Sequence, residues 1–333
     1  QGVVRLTRGA LLVTGISELT GAILLSVRFI PQYGVAKGIW YSLFHSISAF
    51  CNAGFDLLGG YRSFTDYSHD PYFLFVIMAL IVAGGLGFGV ILNMHTTHDL
   101  RRLRLHSKMV LTGTVFLIIS GALLFFWIEY DNAKTIGSMS LFDKIVNSIF
   151  QSITLRTAGF NTIDQLSLHD ASKGLGILLM LVGGGPAGTA GGLKITTVFT
   201  LLLAARAYLR GTFETEAFGR TIPLEQTRRA LTITLLGGLF LLAMGMMLSF
   251  SEQDMPAGSL GLLNQLYEAT SAFCTVGVST GVTAVTSNVT RVILILLMYA
   301  GRVGLITVAV SLVESTTRKE PVLHYPQEDI LIG

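Results

Sequence analysis

The chain has 333 residues, of which 51% are hydrophobic and only 13% charged, with 37 glycines and a formal net charge of +3. An average soluble domain carries about 25% charged residues, so a disordered segment, a disulfide scaffold and a nucleic-acid-binding surface are excluded, and an ordinary soluble enzyme nearly so. Two cysteines, Cys51 and Cys274, set no redox compartment. The class that remains is an all-α, multi-pass membrane protein.

Six apolar stretches can cross a bilayer core of about 30 Å, near 9–31, 72–95, 109–130, 172–205, 230–250 and 289–313. Shorter amphipathic segments lie at 38–50, 141–156 and 260–273. A helix of that size reaches only about 20 Å, so it cannot span, but it can enter and turn back where protein or a wet cavity surrounds it. The long–short–long pattern occurs three times, in units 1–100, 101–211 and 212–313, before a tail at 314–333.

Each short helix ends in a related peptide. These are Ser48-Ala49-Phe50-Cys51-Asn52-Ala53-Gly54-Phe55, Thr154-Leu155-Arg156-Thr157-Ala158-Gly159-Phe160 and Ser271-Ala272-Phe273-Cys274-Thr275-Val276-Gly277-Val278. Each second long helix carries an echo: Ala83-Gly84-Gly85-Leu86, Ala190-Gly191-Gly192-Leu193 and Ala300-Gly301-Arg302-Val303.

Lys and Arg in the loops set the orientation. One side has 13 basic against 8 acidic residues, including Arg101, Arg102, Arg104, Arg206, Arg210, Arg228 and Arg229. The side with the short helices has 8 basic against 11 acidic. Both chain ends are therefore expected in the cytoplasm of a cell-membrane protein, with the glycine peptides entering from outside. Basic loops also suit a docked partner, and the two readings are compatible.

A dehydrated cation needs oxygens in place of water, and main-chain carbonyls along a pore supply them. Several carbonyls can face one way only where some residue adopts a backbone shape that glycine reaches cheaply. The short helices aim their negative ends at the same place. Asp56, Asp66, Asp70, Asp164, Glu252 and Asp254 would gather cations at the mouth.

At these residues the sequence resembles the superfamily of Trk, Ktr and plant HKT potassium transporters. It is most similar to the KtrB membrane subunit of bacterial Ktr systems. Thr275-Val276-Gly277 is close to a potassium-channel filter core, and the other two peptides match the looser family versions. The resemblance implies units arranged pseudo-fourfold around a central pore. K⁺, the transported ion, would bind the carbonyls of Asn52, Ala53, Gly54, Phe55, Thr157, Ala158, Gly159, Phe160, Thr275, Val276, Gly277 and Val278. It further implies a homodimer and a cytoplasmic ring of RCK-type, KtrA-like subunits. Na⁺ and a partner-bound nucleotide would regulate the system, and no covalent cofactor is implied. The family has four units where three are found here, so the first is expected upstream of Gln1 or as a separate piece.

Residues 183–192 hold six glycines and a proline, which cannot sustain a helix. Gly183, Gly184, Gly185, Gly188, Thr189, Gly191, Gly192 and Lys194 read as an intramembrane gate loop in the resembled family. A helix-packing notch is the alternative. Gly183 to Gly188 also fit G-x-G-x-x-G, but no strand precedes them. Arg302, in the last span, is expected beside the gate, or in an ion pair with Glu18.

Glu18 reads as buried and paired, with a proton relay as the alternative. Glu268 and Arg156 read as braces for the filter, and Asn161 and Ser279 as shapers of the outer mouth. The cysteines read as packing behind the filter rather than a redox switch. His95, His98 and His106 lack a metal-binding pattern. His45 and Ser46 invite a hydrolase reading, but neighbours on a helix face different ways and no acid or oxyanion motif follows.

Overall fold

A computed structural model describes residues 2–97, 99–212, 214–252 and 261–303. His98, Asp254, the tail 314–333 and the last span beyond Val303 lie outside the described residues.

The first unit opens with α1 (Gly2–Tyr33), which turns at Gly34 into the short α2 (Val35–Phe50). Asp70 caps α3 (Pro71–Leu86) by accepting from Phe73 N, with Pro71 at the first helical position. The expected single span 72–95 is broken: α3 meets α4 (Phe88–Thr97) at 94°. Gly87, at φ 91°, makes the corner. The backbone groups freed there are paired elsewhere, since Gly84 O and Gly85 O accept from Thr189 N and Gly185 N at 3.2 and 2.8 Å.

The second unit runs through α5 (Leu105–Glu129), α6 (Leu141–Thr154) and α7 (Asp170–Leu181), then resumes at α8 (Ile195–Leu209). Residues 182–194 are non-helical, as their composition predicts. The following basic segment holds an unforeseen hairpin of β1 (Thr215–Ala217) and β2 (Arg220–Ile222), with Thr215 opposite Ile222. Phe218 and Gly219 both take positive φ at its tight turn. The third unit comprises α9 (Leu224–Ser251), α10 (Leu262–Phe273), the single turn α11 (Val282–Val285) and α12 (Asn288–Val303).

Polarity is inverted relative to a soluble protein. Thr7–Tyr33 of α1, α5 and α9 are long and apolar enough to span, yet only 17, 33 and 22% of their apolar windows are buried. Their bare faces carry Ile16, Leu19 and Ile23, then Phe116, Ile119 and Leu123, then Leu235, Leu239 and Leu242. The short helices instead bury polar side chains: Ser42, His45 and Ser46 on α2, Gln151 and Ser152 on α6, Glu268 and Ser271 on α10. Apolar outside and polar inside suits a protein whose solvent is lipid.

The long and short helices meet at matching contacts. Ser46 Oγ donates to Glu18 O at 2.6 Å, and Ser152 Oγ to Ile118 O at 3.1 Å. Each accepting carbonyl lies three residues before a glycine, Gly21 or Gly121, where a Cβ would come 2.4 Å from the hydroxyl. Between units, α3 packs on α6 and α7 on α10.

Candidate functional site

The three glycine peptides, far apart in the chain, come together. A Cβ on Gly159 would lie 3.3 Å from both Gly54 Cα and Gly277 Cα. Gly159 is thus the middle member of an arc. A Cβ on Gly277 would have Gly159 Cα alone within 4 Å.

Their backbones repeat one pattern of positive φ. Asn52 and Gly54 have φ of 51 and 74°, Thr157 and Gly159 of 74 and 88°, Thr275 and Gly277 of 52 and 98°. A left-handed residue at every second position undoes the alternation of carbonyls along an extended chain. The hydrogen bonds give the direction, because N–H and the preceding C=O point opposite ways in a trans peptide. Ala53 N, Ala158 N and Val276 N donate back to Ser48 O, Thr154 O and Ser271 O of their own short helices, at 2.9, 2.9 and 2.8 Å. The carbonyls of Asn52, Thr157 and Thr275 therefore face away from those helices. Gly54 O, Ala158 O and Val276 O follow, because Phe55 N and Gly277 N bond Ser48 Oγ and Ser271 Oγ while Gly159 N bonds Thr154 O. Ala158 O and Val276 O would meet a Cβ on Gly54 or Gly159 at 2.6 and 2.3 Å.

Phe55, Phe160 and Val278 behave differently. Their carbonyls accept from Ser48 Oγ, Thr154 Oγ1 and Ser271 Oγ at 2.7, 2.7 and 2.6 Å, so they turn back toward the short helices. Those hydroxyls were not read from the sequence. The signal was present in the repeated Ser/Thr, but the middle peptide is one residue shorter and displaces it.

Against the arc packs loop 182–194, closed by a parallel bridge between Val182 and Leu193. It touches every unit. Thr189 Oγ1 donates to Phe50 O at 3.1 Å, Gly191 N to Thr157 Oγ1 at 3.2 Å, and Arg302 Nη1 to Thr189 O at 2.9 Å. Lys194 Nζ donates to Ala190 O at 2.6 Å. Cβ atoms on Gly184, Gly185 and Gly188 would meet Gly85 O, Leu86 O and Gly84 O at 2.5, 2.3 and 3.0 Å, so these glycines pack against backbone and leave no cradle for a nucleotide phosphate. Gly192 takes φ 66°. A cavity of about 340 Å³ under the loop is lined by Gly191, Lys194, Arg229, Phe273 and Arg302 among others.

The echo in the second long helices also acquires a cause. A Cβ on Gly84 would lie 1.8 Å from Phe50 O, and one on Gly301 1.6 Å from Phe273 O. In both units this glycine lets a helix touch the end of another, α3 on α2 and α12 on α10.

Several single residues move from their expected places. Glu18 is half-buried, and its Oε1 accepts from Cys51 Sγ at 3.6 Å; among the described residues neither it nor Arg302 forms an ion pair. Glu252 is buried and accepts from Ser287 N at 3.0 Å and from Thr290 Oγ1, so it braces the start of α12, where Ser287 Oγ accepts from Thr290 N at 3.3 Å. Asp70 caps α3 and pairs with Arg28, and Asp164 accepts from Leu166 N and Ser167 Oγ. Glu268 is the expected brace: Ser279 Oγ, Thr280 N and Thr283 Oγ1 all donate to it. Asn161 acts through its backbone, accepting from Phe64 N and donating to Ser63 Oγ at 2.8 and 3.0 Å. His45 Nε2 accepts from Leu57 N while Ser46 points to α1, so the two form no catalytic pair. Both thiols are free. No metal-binding group of three His, Cys, Asp or Glu occurs among the described residues.

The family profile described as "TrkH: Cation transport protein" matches residues 3–319. The potassium/sodium uptake protein NtpJ of Enterococcus hirae is 41% identical over all of this chain and 73% of its own length. The Ktr system potassium uptake protein B of Bacillus subtilis is 36% identical, over 100 and 72% respectively. The crystal structure of the potassium transporter TrkH from Vibrio parahaemolyticus shares the fold, with a TM-score of 0.70 over 88% of this chain at 17% identity; the match spans 62% of that chain.

Proposed function

The chain belongs to the TrkH cation transport protein family, and on that footing we propose that it carries potassium across the cell membrane through the glycine-peptide arc. The family is one of transporters, so no bond is made or broken. K⁺ exchanges its water for the carbonyl oxygens of Asn52, Gly54, Thr157, Ala158, Thr275 and Val276. One observation carries the reading: three peptides distant in sequence repeat one pattern of positive φ and turn their oxygens away from their own helices toward each other.

The ring is pseudo-fourfold, and a fourth peptide closes it. Trp40 and Ile47 of α2 stand where α6 has Val146 and Ile153, counting back from the glycines with the one-residue shortening allowed. The α2 pair is 57 and 39% exposed, the α6 pair 2 and 6%. Phe160 stacks on Phe64 of the preceding unit with centroids 4.5 Å apart, whereas its counterpart Phe55 is 70% exposed. Both point to one further unit against α2.

Loop 183–192 with Lys194 and Arg302 forms the gate below the filter. Its bonds to Phe50 and Thr157 of the first two peptides, its close approach to Cys274 of the third and the bond from Arg302 support that role. In keeping with the word "system" in the name of the Bacillus relative, the subunit works with partners; we take these to be a second copy and a nucleotide-binding cytoplasmic ring on the basic loops, with the chain ends in the cytoplasm and the filter facing out. Na⁺ enters as a second ion or regulator, in keeping with the name of the Enterococcus relative.

The test is rubidium uptake into potassium-starved, uptake-deficient cells producing the complete protein. Wild type is expected to take up Rb⁺ and Gly277→Ser to lose most of that uptake. Equal uptake by both overturns the filter.

A further inference from the structure

Arg156 closes the turn between α6 and its glycine peptide. It is 7% exposed, forms no ion pair among the described residues, and its Nε has no hydrogen-bond partner. A guanidinium taken out of water normally finds a carboxylate or fills its whole fork of donors. Here Nη2 donates to Gly183 O at 3.4 Å and to Thr114 Oγ1 of α5 at 3.3 Å. The next residue, Thr157, accepts from Gly191 N at 3.2 Å.

Gly183 and Gly191 stand near the two ends of the gate loop and are drawn together; a Cβ on Gly183 would lie 2.0 Å from Gly191 O. Two consecutive residues of one filter peptide thus hold both ends of the loop. The other peptides carry Phe50-Cys51 and Phe273-Cys274 before the corresponding residues. Every bond in the set is long, and long bonds surrender easily.

We propose that Arg156 and Thr157 latch the second filter peptide to the gate loop, so that the loop clears the pore only when Arg156 releases Gly183 O. Filter and gate are then one mechanical unit. Arg156 is a positioning residue that acts through the loop without touching the ion. This rests on the gate assigned under Proposed function.

The test compares Rb⁺ uptake against Rb⁺ concentration for wild type, Arg156→Gln and Arg156→Lys in the complete protein, per unit of protein in the membrane. Releasing the latch raises the maximal rate about threefold or more. The half-saturating concentration and the preference over Na⁺ stay unchanged, and Arg156→Lys falls between. A purely structural role would lower the rate or degrade the preference. An unchanged or reduced maximal rate overturns the latch. Should Arg156→Gln fail to reach the membrane, Thr114→Val decides: about twofold faster uptake supports the latch, and wild-type uptake overturns it. The two readings fail separately. Active wild type with Gly277→Ser inactive keeps the filter whatever Arg156 does, whereas a wild type inert to Rb⁺ overturns transport and latch together.

Discussion

Three hydroxyls hold the glycine peptides, the proposed filter, from behind. Ser271 Oγ donates to Val278 O and accepts from Gly277 N, which fixes one peptide plane on each side of the glycine. Ser271→Ala leaves both groups unpaired in a buried place, at a cost of about 1–3 kcal/mol. The peptide relaxes, and Na⁺ is expected to compete better with Rb⁺ for uptake, while Ser271→Thr retains the discrimination. In the proposed gate Arg302 acts through its charge as well as through its bond to Thr189 O. Arg302→Ala is expected to raise Rb⁺ influx several-fold, and unchanged or lower influx would assign it a structural role. The glycines and Arg302 were legible in the sequence because each is an exception: only glycine takes such φ values cheaply, and a charge in an apolar span demands a reason. The local bonds of Glu252 and Asp70 were not legible, because an acid near a loop looks the same whether it faces solvent or binds the start of a helix.

At the level of elements, the short helices were legible from length and amphipathicity, and the loop after α7 from its glycines. The bend between α3 and α4 was not. Gly84, Gly85, Gly87 and Gly89 signalled it, but an apolar run hides a corner when the neighbouring loop supplies the missing hydrogen bonds. These glycines are not equivalent. A Cβ on Gly84 would collide with Phe50 O at 1.8 Å, whereas one on Gly89 meets nothing within 4 Å. Gly84→Ala must push α3 off the end of α2, an overpacking of about 1–3 kcal/mol or more. Gly89→Ala gains up to about 1 kcal/mol of helix propensity. Thermal unfolding in detergent is expected to show a clearly lowered Tm for Gly84→Ala and an equal or higher one for Gly89→Ala. The reverse order would mean that the α3–α2 contact is not held by that glycine.

For the molecule as a whole, the arc has two ends of unequal character. The α6 and α10 helices are sandwiched between their own unit and the preceding one, through α3 and α7. No preceding unit among the described residues covers α2, whose Trp40, Leu43 and Ile47 form an apolar stripe at helical spacing. A half-length helix beside a polar filter does not serve as a lipid-facing wall, because lipid would then reach unpaired carbonyls and each exposed polar group would cost several kcal/mol. On the proposed ring the stripe is a seam between protein units, unlike the faces of α9 that carry Leu239 and Leu242. A bilayer-resident thiol reagent separates the two cases in the complete protein, with Cys51→Ser and Cys274→Ser as background. Ile47→Cys is expected to stay unmodified while Leu239→Cys reacts. If Ile47→Cys reacts as fast as Leu239→Cys, α2 borders lipid, the ring is open on that side, and the filter cannot surround an ion.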